Sequence, residues 1–121
     1  MNYEDMSDFE INKLVSKNTD FGELVVSIND SNETVYLCEK DGTFSIFPIS
    51  HFDPCNNPSD AWPIILGNNI SILKSGNEWM ATWSEYGSHM AVNDIYVSDK
   101  NPLRSAMICF LKMKDAEQCQ Q

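Results

Sequence analysis

The stretch Phe52–Leu66, FDPCNNPSDAWPIIL, separates two runs of strand-like sequence, and we call it the central segment. It holds three prolines and several short polar residues that favour helix caps and turns. Asn57-Pro58 predicts a helix start, because asparagine caps a helix and proline at the first helical position has no N–H left unbonded. Asp60 in that first turn is stabilised by the positive end of the helix dipole.

Pro63 predicts that this helix is short. A proline inside a helix removes one backbone hydrogen bond and clashes with the preceding turn. It also pushes the residue before it, here Trp62, toward extended geometry. We therefore expect a single turn or a kinked short helix that carries Ile64, Ile65 and Leu66 into the core.

A helix and three strands are predicted before the central segment. Ser7 opens a capping-box pattern, and apolar residues at three- and four-residue spacing predict a helix to about Lys17. The period then changes, and the runs 23–28, 34–39 and 43–49 predict an antiparallel meander because they are rich in β-branched and aromatic residues.

The dipeptide Asp41-Gly42 gives the most specific turn signal. A two-residue type I′ turn needs positive φ at both positions, which this pair tolerates. We expect Lys40 and Thr43 to flank the turn.

A hairpin is predicted after the central segment, from strands at Asn69–Leu73 and Glu78–Trp83. Alternation places Trp79, Ala81 and Trp83 on one face of its second strand. Residues 86–89 are typical of a loop, and residues 94–97 favour a short strand.

Asn101-Pro102 repeats the cap-then-proline signal and opens the last helix, which we expect to end near Ala116 with 117–121 as a frayed tail. The fold class is therefore α+β in a single domain, 1–121. In it the N-terminal and C-terminal helices pack on one face of an antiparallel sheet made of the meander plus the hairpin. A chain of 121 residues with 42% hydrophobic residues is large enough to bury one core.

Charge and composition exclude several classes of protein. The formal net charge of −10 repels phosphate backbones and anionic lipid, so direct nucleic-acid binding is not expected. Apolar runs are too short to cross a membrane, and the acidic N-terminus does not resemble a signal peptide, so we expect a cytoplasmic protein. Its four scattered cysteines predict reduced thiols, and two histidines without any CxxC pair predict no zinc site.

Four pieces of the chain carry a family resemblance: SDFEINKLV at 7–15, FDPCNNPSDAWPII at 52–65, the tryptophan hairpin and NPLRSAMICFL at 101–111. Together they resemble the NinX family of lambdoid bacteriophages and their prophage copies, a domain of unknown function. The resemblance implies a phage or prophage accessory protein made in a bacterial cytoplasm. It implies no activity and no catalytic residues.

The alternating residues His51, Asp53 and Cys55 are the only candidate for catalysis. Alternation places them on one side of an extended segment, as a thiol nucleophile with a base or a metal site requires. A nucleophilic cysteine also needs an electropositive environment, which this acidic chain barely supplies, so we predict no catalytic residue, no metal and no cofactor.

Arg104 stands in the first turn of the last helix, where the dipole does not favour a cation. This placement predicts that a negatively charged group pairs with the Arg104 side chain. One interpretation is an Asp60–Arg104 ion pair that holds the central segment on the helix. The other is an anion held by Arg104 and by the backbone amides that follow Asn57.

Trp62, Trp79 and Trp83 allow two interpretations as well. They are the large core residues of a small domain, or they line an aromatic pocket for a planar ligand such as a nucleobase. The candidate ligand-binding residues are thus Asn57, Asp60, Trp62, Trp79, Trp83 and Arg104.

Three function hypotheses follow. The first is a non-enzymatic accessory protein that binds a host or phage protein through its acidic surface or an exposed sheet edge. The alternative is a protein that binds or sequesters a small anionic, nucleotide-type ligand, and the third is an enzyme of unknown class. A homodimer is the preferred oligomeric state, because small domains protect sheet edges in this way.

Overall fold

Three helices and six strands make up the computed structural model, which describes residues 2–42, 45–84 and 94–119. After a 3-10 turn at Tyr3–Asp5 the elements are α1 (Asp8–Lys17), β1 (Val25–Asn29), β2 (Thr34–Asp41), β3 (Ser45–His51), α2 (Pro58–Gly67), β4 (Ser71–Ser75), β5 (Glu78–Trp83), β6 (Ile95–Asp99) and α3 (Pro102–Cys119). The predicted α+β fold is confirmed. The meander forms one three-stranded antiparallel sheet, β1-β2-β3, and the hairpin together with β6 forms a second, β4-β5-β6, where one sheet was expected.

Side-chain caps fix the starts of α1, α2 and α3, at the residues that the sequence predicted. Ser7, Asn57 and Asn101 each accept a hydrogen bond from a backbone N–H in the first turn, at 3.1, 3.0 and 2.9 Å. Such a cap satisfies one of the N–H groups that have no partner inside the helix. At its other end α3 continues to Cys119, beyond the expected end near Ala116.

Pro63 does not end α2, so the prediction of a helix stopped early is wrong. The helix runs through it to Gly67. The missing N–H leaves only the carbonyl of Ser59 without its helical partner, and Ser59 is exposed to water. Burial of Ile64 and Ile65 against the core offsets this loss.

The outward face of α2 carries Trp62 and Leu66, which are both exposed. Residues four apart lie on the same side of a helix, so once the helix continues, Leu66 must follow Trp62 into solvent. The prediction that Leu66 enters the core is therefore wrong, and so is extended geometry at Trp62.

The end of α2 leads directly into the second sheet. Asn69 adopts a left-handed conformation with φ +57, and the N–H of Ile70 donates to the carbonyl of Ile65 at 3.1 Å. This arrangement is a Schellman motif, which satisfies carbonyls of the last helical turn and starts β4 at Ser71.

The register of the first sheet differs from the prediction at the β2–β3 turn. Asp41 pairs with Ser45 and Lys40 with Ile46, so three residues, 42–44, separate the paired positions. The predicted two-residue turn is therefore wrong, although Gly42 does adopt positive φ, at +70. Thr43 lies outside the described residues.

The second sheet and α3 enclose the centre of the core. Ile72, Ala81 and Val97 pair across the three strands and lie on the sheet face that packs against α3. Strand alternation places Trp79 and Trp83 on the same face as Ala81, as predicted. The predicted strand at 94–97 is observed as Ile95–Asp99, and the predicted loop at 86–89 lies outside the described residues.

Candidate functional site

Arg104 is mostly buried, and each of its three side-chain nitrogens forms a polar contact within the protein. Its Nη1 lies 2.7 Å from Asp8 Oδ1, and its Nε lies 3.3 Å from Asp99 Oδ2. Nη2 donates to the backbone carbonyls of Met6 at 2.7 Å and Glu4 at 3.2 Å. The side chain is only 12% exposed. Burial alone would lower the pKa of Arg104, but the hydrogen bond and charge of Asp8 and the charge of Asp99 raise it.

Asp60 has a different partner from the predicted one. Its Oδ2 accepts a hydrogen bond from the backbone N–H of Asp53 at 2.9 Å. The predicted Asp60–Arg104 ion pair is therefore wrong, since the charge partners of Arg104 among the described residues are Asp8 and Asp99. Asp60 instead holds the turn that leads into α2.

Two asparagines attach the central segment to the helices at both ends of the chain. Asn12 of α1 donates from Nδ2 to Asp53 at 2.7 Å and accepts the backbone N–H of Cys55 at 3.1 Å. Asn101, at the start of α3, donates to the carbonyl of Cys55 at 2.7 Å. Both backbone groups of Cys55 are thus bonded by side chains. The role of Asn12 was not predicted, because its only signal in the sequence is a polar residue between the apolar positions of α1.

His51, Asp53 and Cys55 do not form one reactive group. Cys55 is fully buried, and burial, followed by the negative charge of Asp8, raises the pKa of its thiol. Asp53 accepts from Asn12, whereas the exposed His51 makes an edge contact with the ring of Tyr36 at 5.0 Å between centroids. A buried protonated thiol is a poor nucleophile. Among the described residues no group of three His, Cys, Asp or Glu could hold a metal ion.

The tryptophans lie on two different surfaces. Trp83 packs against the core under α3, and the ring of Trp79 lies 4.9 Å from the ammonium of Lys74. Trp62 projects outward from α2. The core interpretation therefore applies to Trp83 and not to Trp62. The candidate ligand-binding residues therefore have separate roles: Asn57 caps α2, Asp60 bonds to a turn and Arg104 belongs to an internal ion pair. The three tryptophans are divided between these two surfaces.

The edge strand β3 carries an exposed apolar surface that its local sequence did not predict. All residues of this edge strand are exposed, and Ile46, Phe47 and Ile49 have exposed fractions of 49%, 43% and 50%. An exposed apolar edge strand presents unpaired N–H and C=O groups to other chains. Ile49 is the extra residue of a β-bulge, because Leu37 pairs with Ser50 and Cys38 with Pro48.

The end of the β2–β3 hairpin projects beyond the rest of its sheet. Val25, the first residue of β1, pairs with Cys38, so later residues of β2 pair with β3 alone. We call this two-stranded part, residues 39–42 and 45–47, the hairpin arm. Every residue of the arm is exposed. Two strands without a third are marginally stable in water, so the arm contributes little to the stability of the fold.

A groove of about 480 Å³ lies beside the base of the arm. Ser27, Tyr36 and Cys38 line it from β1 and β2, and Ile46 and Pro48 line it from β3. The register places these residues on the outer face of the sheet, opposite the core-facing Val35 and Leu37. The free edge of β3 thus borders a depression that can receive a side chain.

Fold and surfaces together define a small acidic α+β domain with an exposed sheet edge. No helix within the described ranges is long and apolar enough to span a membrane. The family described as Bacteriophage P22, NinX matches residues 2–114, so the chain belongs to the NinX family and the resemblance is confirmed. Searches of curated proteins and of solved structures found no match.

Proposed function

We propose that this protein is a non-enzymatic phage accessory protein, which acts in the bacterial cytoplasm by binding a host or phage protein through the free edge of β3. Membership of the NinX family supports the phage context. The observation that carries the binding proposal is the edge strand β3, in which every residue is exposed, including Ile46, Phe47 and Ile49. Exposed apolar patches of this kind mark interaction sites on soluble proteins.

The hairpin arm supports the same proposal on energetic grounds. An arm that leaves its apolar side chains in water gains little hydrophobic stabilisation and exposes an edge that promotes aggregation. A partner that covers the arm removes both disadvantages. The formal net charge of −10 favours a partner with a basic surface.

The alternative of a small anionic ligand at Arg104 has less support. Such a ligand would have to displace the carboxylates of Asp8 and Asp99 from the guanidinium, at a cost in stability. Thermal unfolding with a set of nucleotides measures this directly. An increase in Tm that Arg104→Ala abolishes would favour the ligand over the protein partner.

Site-specific photo-crosslinking in infected cells tests the proposal. A photoreactive amino acid replaces Phe47 on the arm or, as a matched control on another exposed apolar surface, Trp62 on α2. We expect one specific host or phage protein to crosslink at position 47 and not at position 62. Ile46→Ser with Ile49→Ser should abolish this crosslink. Identical products at 47 and 62, or no specific product at 47, would overturn the proposal.

A further inference from the structure

We infer that the partner adds an extended segment to the free edge of β3 as a fourth strand, and that basic residues alternate with apolar residues in this segment. The inference rests on the proposed function and adds the chemistry of the partner. It follows from the backbone of the edge, from the different charges on the two faces of the hairpin arm and from the groove beside it.

The backbone of β3 has free hydrogen-bonding groups along the arm. Proline is tolerated within a strand when its missing N–H faces away from the neighbouring strand, so the missing donor of Pro48 belongs to the free edge. Alternate residues of an antiparallel strand direct their backbone groups to the same side. Ile46 therefore presents both N–H and C=O to the free edge, and Pro48 presents C=O alone.

The two faces of the arm carry different charges. Phe47 pairs with Glu39 and Ser45 with Asp41, so these side chains share one face, which we call the acidic face. Ile46 pairs with Lys40 and Pro48 with Cys38 on the opposite face, where the groove lies.

The acidic face favours basic side chains on an added strand. A side chain beside Phe47 can place a cation against the exposed ring, and Glu39 lies two strand spacings away, about 10 Å. Asp41 offers a second carboxylate next to it. Within the described residues neither carboxylate has a cationic partner, so a lysine or arginine would not have to displace one.

The groove face favours apolar side chains at the intervening positions. Lys40 repels a cation there, whereas Ile46 and Pro48 offer apolar surface to the groove. Asp30 also lines the groove, but its carboxylate already forms an ion pair with Lys13. The side chains of a strand alternate between its two faces. One added strand therefore matches both the acidic face and the groove face only if basic and apolar residues alternate along it.

Peptide binding measured by amide chemical shifts tests this chemistry. The probe is a short peptide of alternating lysine and valine, and the control peptide has the same composition with all lysines before all valines. We expect the alternating peptide to shift the amides of Ile46 and Phe47 and to bind about tenfold more tightly than the control peptide. Equal binding of the two peptides, or no binding of either, would overturn the inference.

Protein variants test the edge and the charges separately. Ile46→Pro removes the free N–H at the edge without removing a hydrogen bond to β2. Glu39→Lys with Asp41→Lys reverses the charge of the acidic face. Each should weaken the alternating peptide about tenfold, whereas the matched pair Glu10→Lys with Glu117→Lys, which changes net charge equally at exposed sites, should change it less than about twofold. Equal losses in both charge-reversed proteins would indicate unspecific attraction and overturn the inference.

Two further outcomes separate this inference from the proposed function. A specific crosslink at position 47 with no peptide binding would leave the proposed function intact and overturn the strand chemistry. If sedimentation shows a dimer that Ile46→Pro converts to a monomer, a second copy of this chain covers the edge, and the inference falls as well. Circular dichroism of each variant verifies that the fold is retained.

Discussion

Arg104→Ala removes four polar contacts at once and leaves two carboxylates without their cation. The lost partners are Asp8, Asp99 and the carbonyls of Glu4 and Met6. Removing one member of a buried ion pair destabilises a protein by about 3–5 kcal/mol. Here Asp8 and Asp99 are 41% and 27% exposed, so water replaces part of the interaction. We expect a loss of about 2–3 kcal/mol in the free energy of unfolding.

Urea unfolding followed by tryptophan fluorescence and circular dichroism measures this loss. With an m-value of about 2 kcal/mol/M, the midpoint should fall by about 1–1.5 M. The m-value itself should not change, because it scales with the surface exposed on unfolding, and the substitution changes that surface very little.

Lys13→Ala provides the matched control, since Lys13 forms an ion pair with the well-exposed Asp30 at 3.3 Å. That variant should lose less than about 1 kcal/mol of unfolding free energy. High salt should abolish the difference in stability between Lys13→Ala and the wild type. The loss in Arg104→Ala should persist in about 1 M NaCl, because half of its contacts are to backbone carbonyls and the side chain is mostly buried. Equal losses in the two variants, or a loss that salt removes, would refute this reasoning.

Three other predictions concern single side chains. Tyr3 donates to Asp115, and burial followed by this hydrogen bond raises its pKa to about 12. Because the folded pKa lies above the unfolded value near 10, this contribution to stability is complete below pH 10 and is lost as pH rises toward about 12. Tyr3→Phe should therefore lose about 1 kcal/mol of unfolding free energy at pH 7. In urea titrations its unfolding free energy should also fall less at alkaline pH than that of the wild type. Cys55 and Cys109 are buried with raised thiol pKa values, so maleimide at about pH 8 should label them only in urea, and rapid native labelling detected by peptide mass spectrometry would contradict the structure. Trp62→Ala should lower stability by less than about 1 kcal/mol, whereas Trp83→Ala should lower it by about 2 kcal/mol or more, and equal shifts in Tm would contradict their different burial.

Sequence reasoning succeeded where the interaction is local. Ser7, Asn57 and Asn101 bond to N–H groups two or three residues away, so the local sequence contains both partners. The same holds for strand alternation in β5, which places Trp79 and Trp83 on one face.

The errors come from interactions between distant residues. Asp41-Gly42 is compatible with several turn lengths, and the register that decided between them includes a bulge at Ile49. Pro63 ends a helix only when no packing compensates, and here the burial of Ile64 and Ile65 does.

Arg104 illustrates the limit for the candidate site. Its position correctly indicated that it needs a partner, but Asp8 lies 96 residues earlier in the chain, and nothing local favours Asp8 over Asp60. Asn12 likewise bonds to residues 41 and 43 positions away. The exposed apolar edge was foreseen only as a general possibility, because exposure of β3 depends on the strand order, which leaves β3 at the edge of a sheet separate from β4-β5-β6.

The contacts between the 3-10 turn, α1 and α3 also constrain the order in which the protein folds. Tyr3–Asp115, Glu4–Lys112 and Asp8–Arg104 join residues 112, 108 and 96 positions apart. None of these bonds can form on the ribosome before α3 has been synthesised, and until then the central segment lacks its bond to Asn101. During synthesis the apolar edge of β3 therefore exists before the domain is closed, so a partner or a chaperone that covers it early would protect the nascent chain from aggregation.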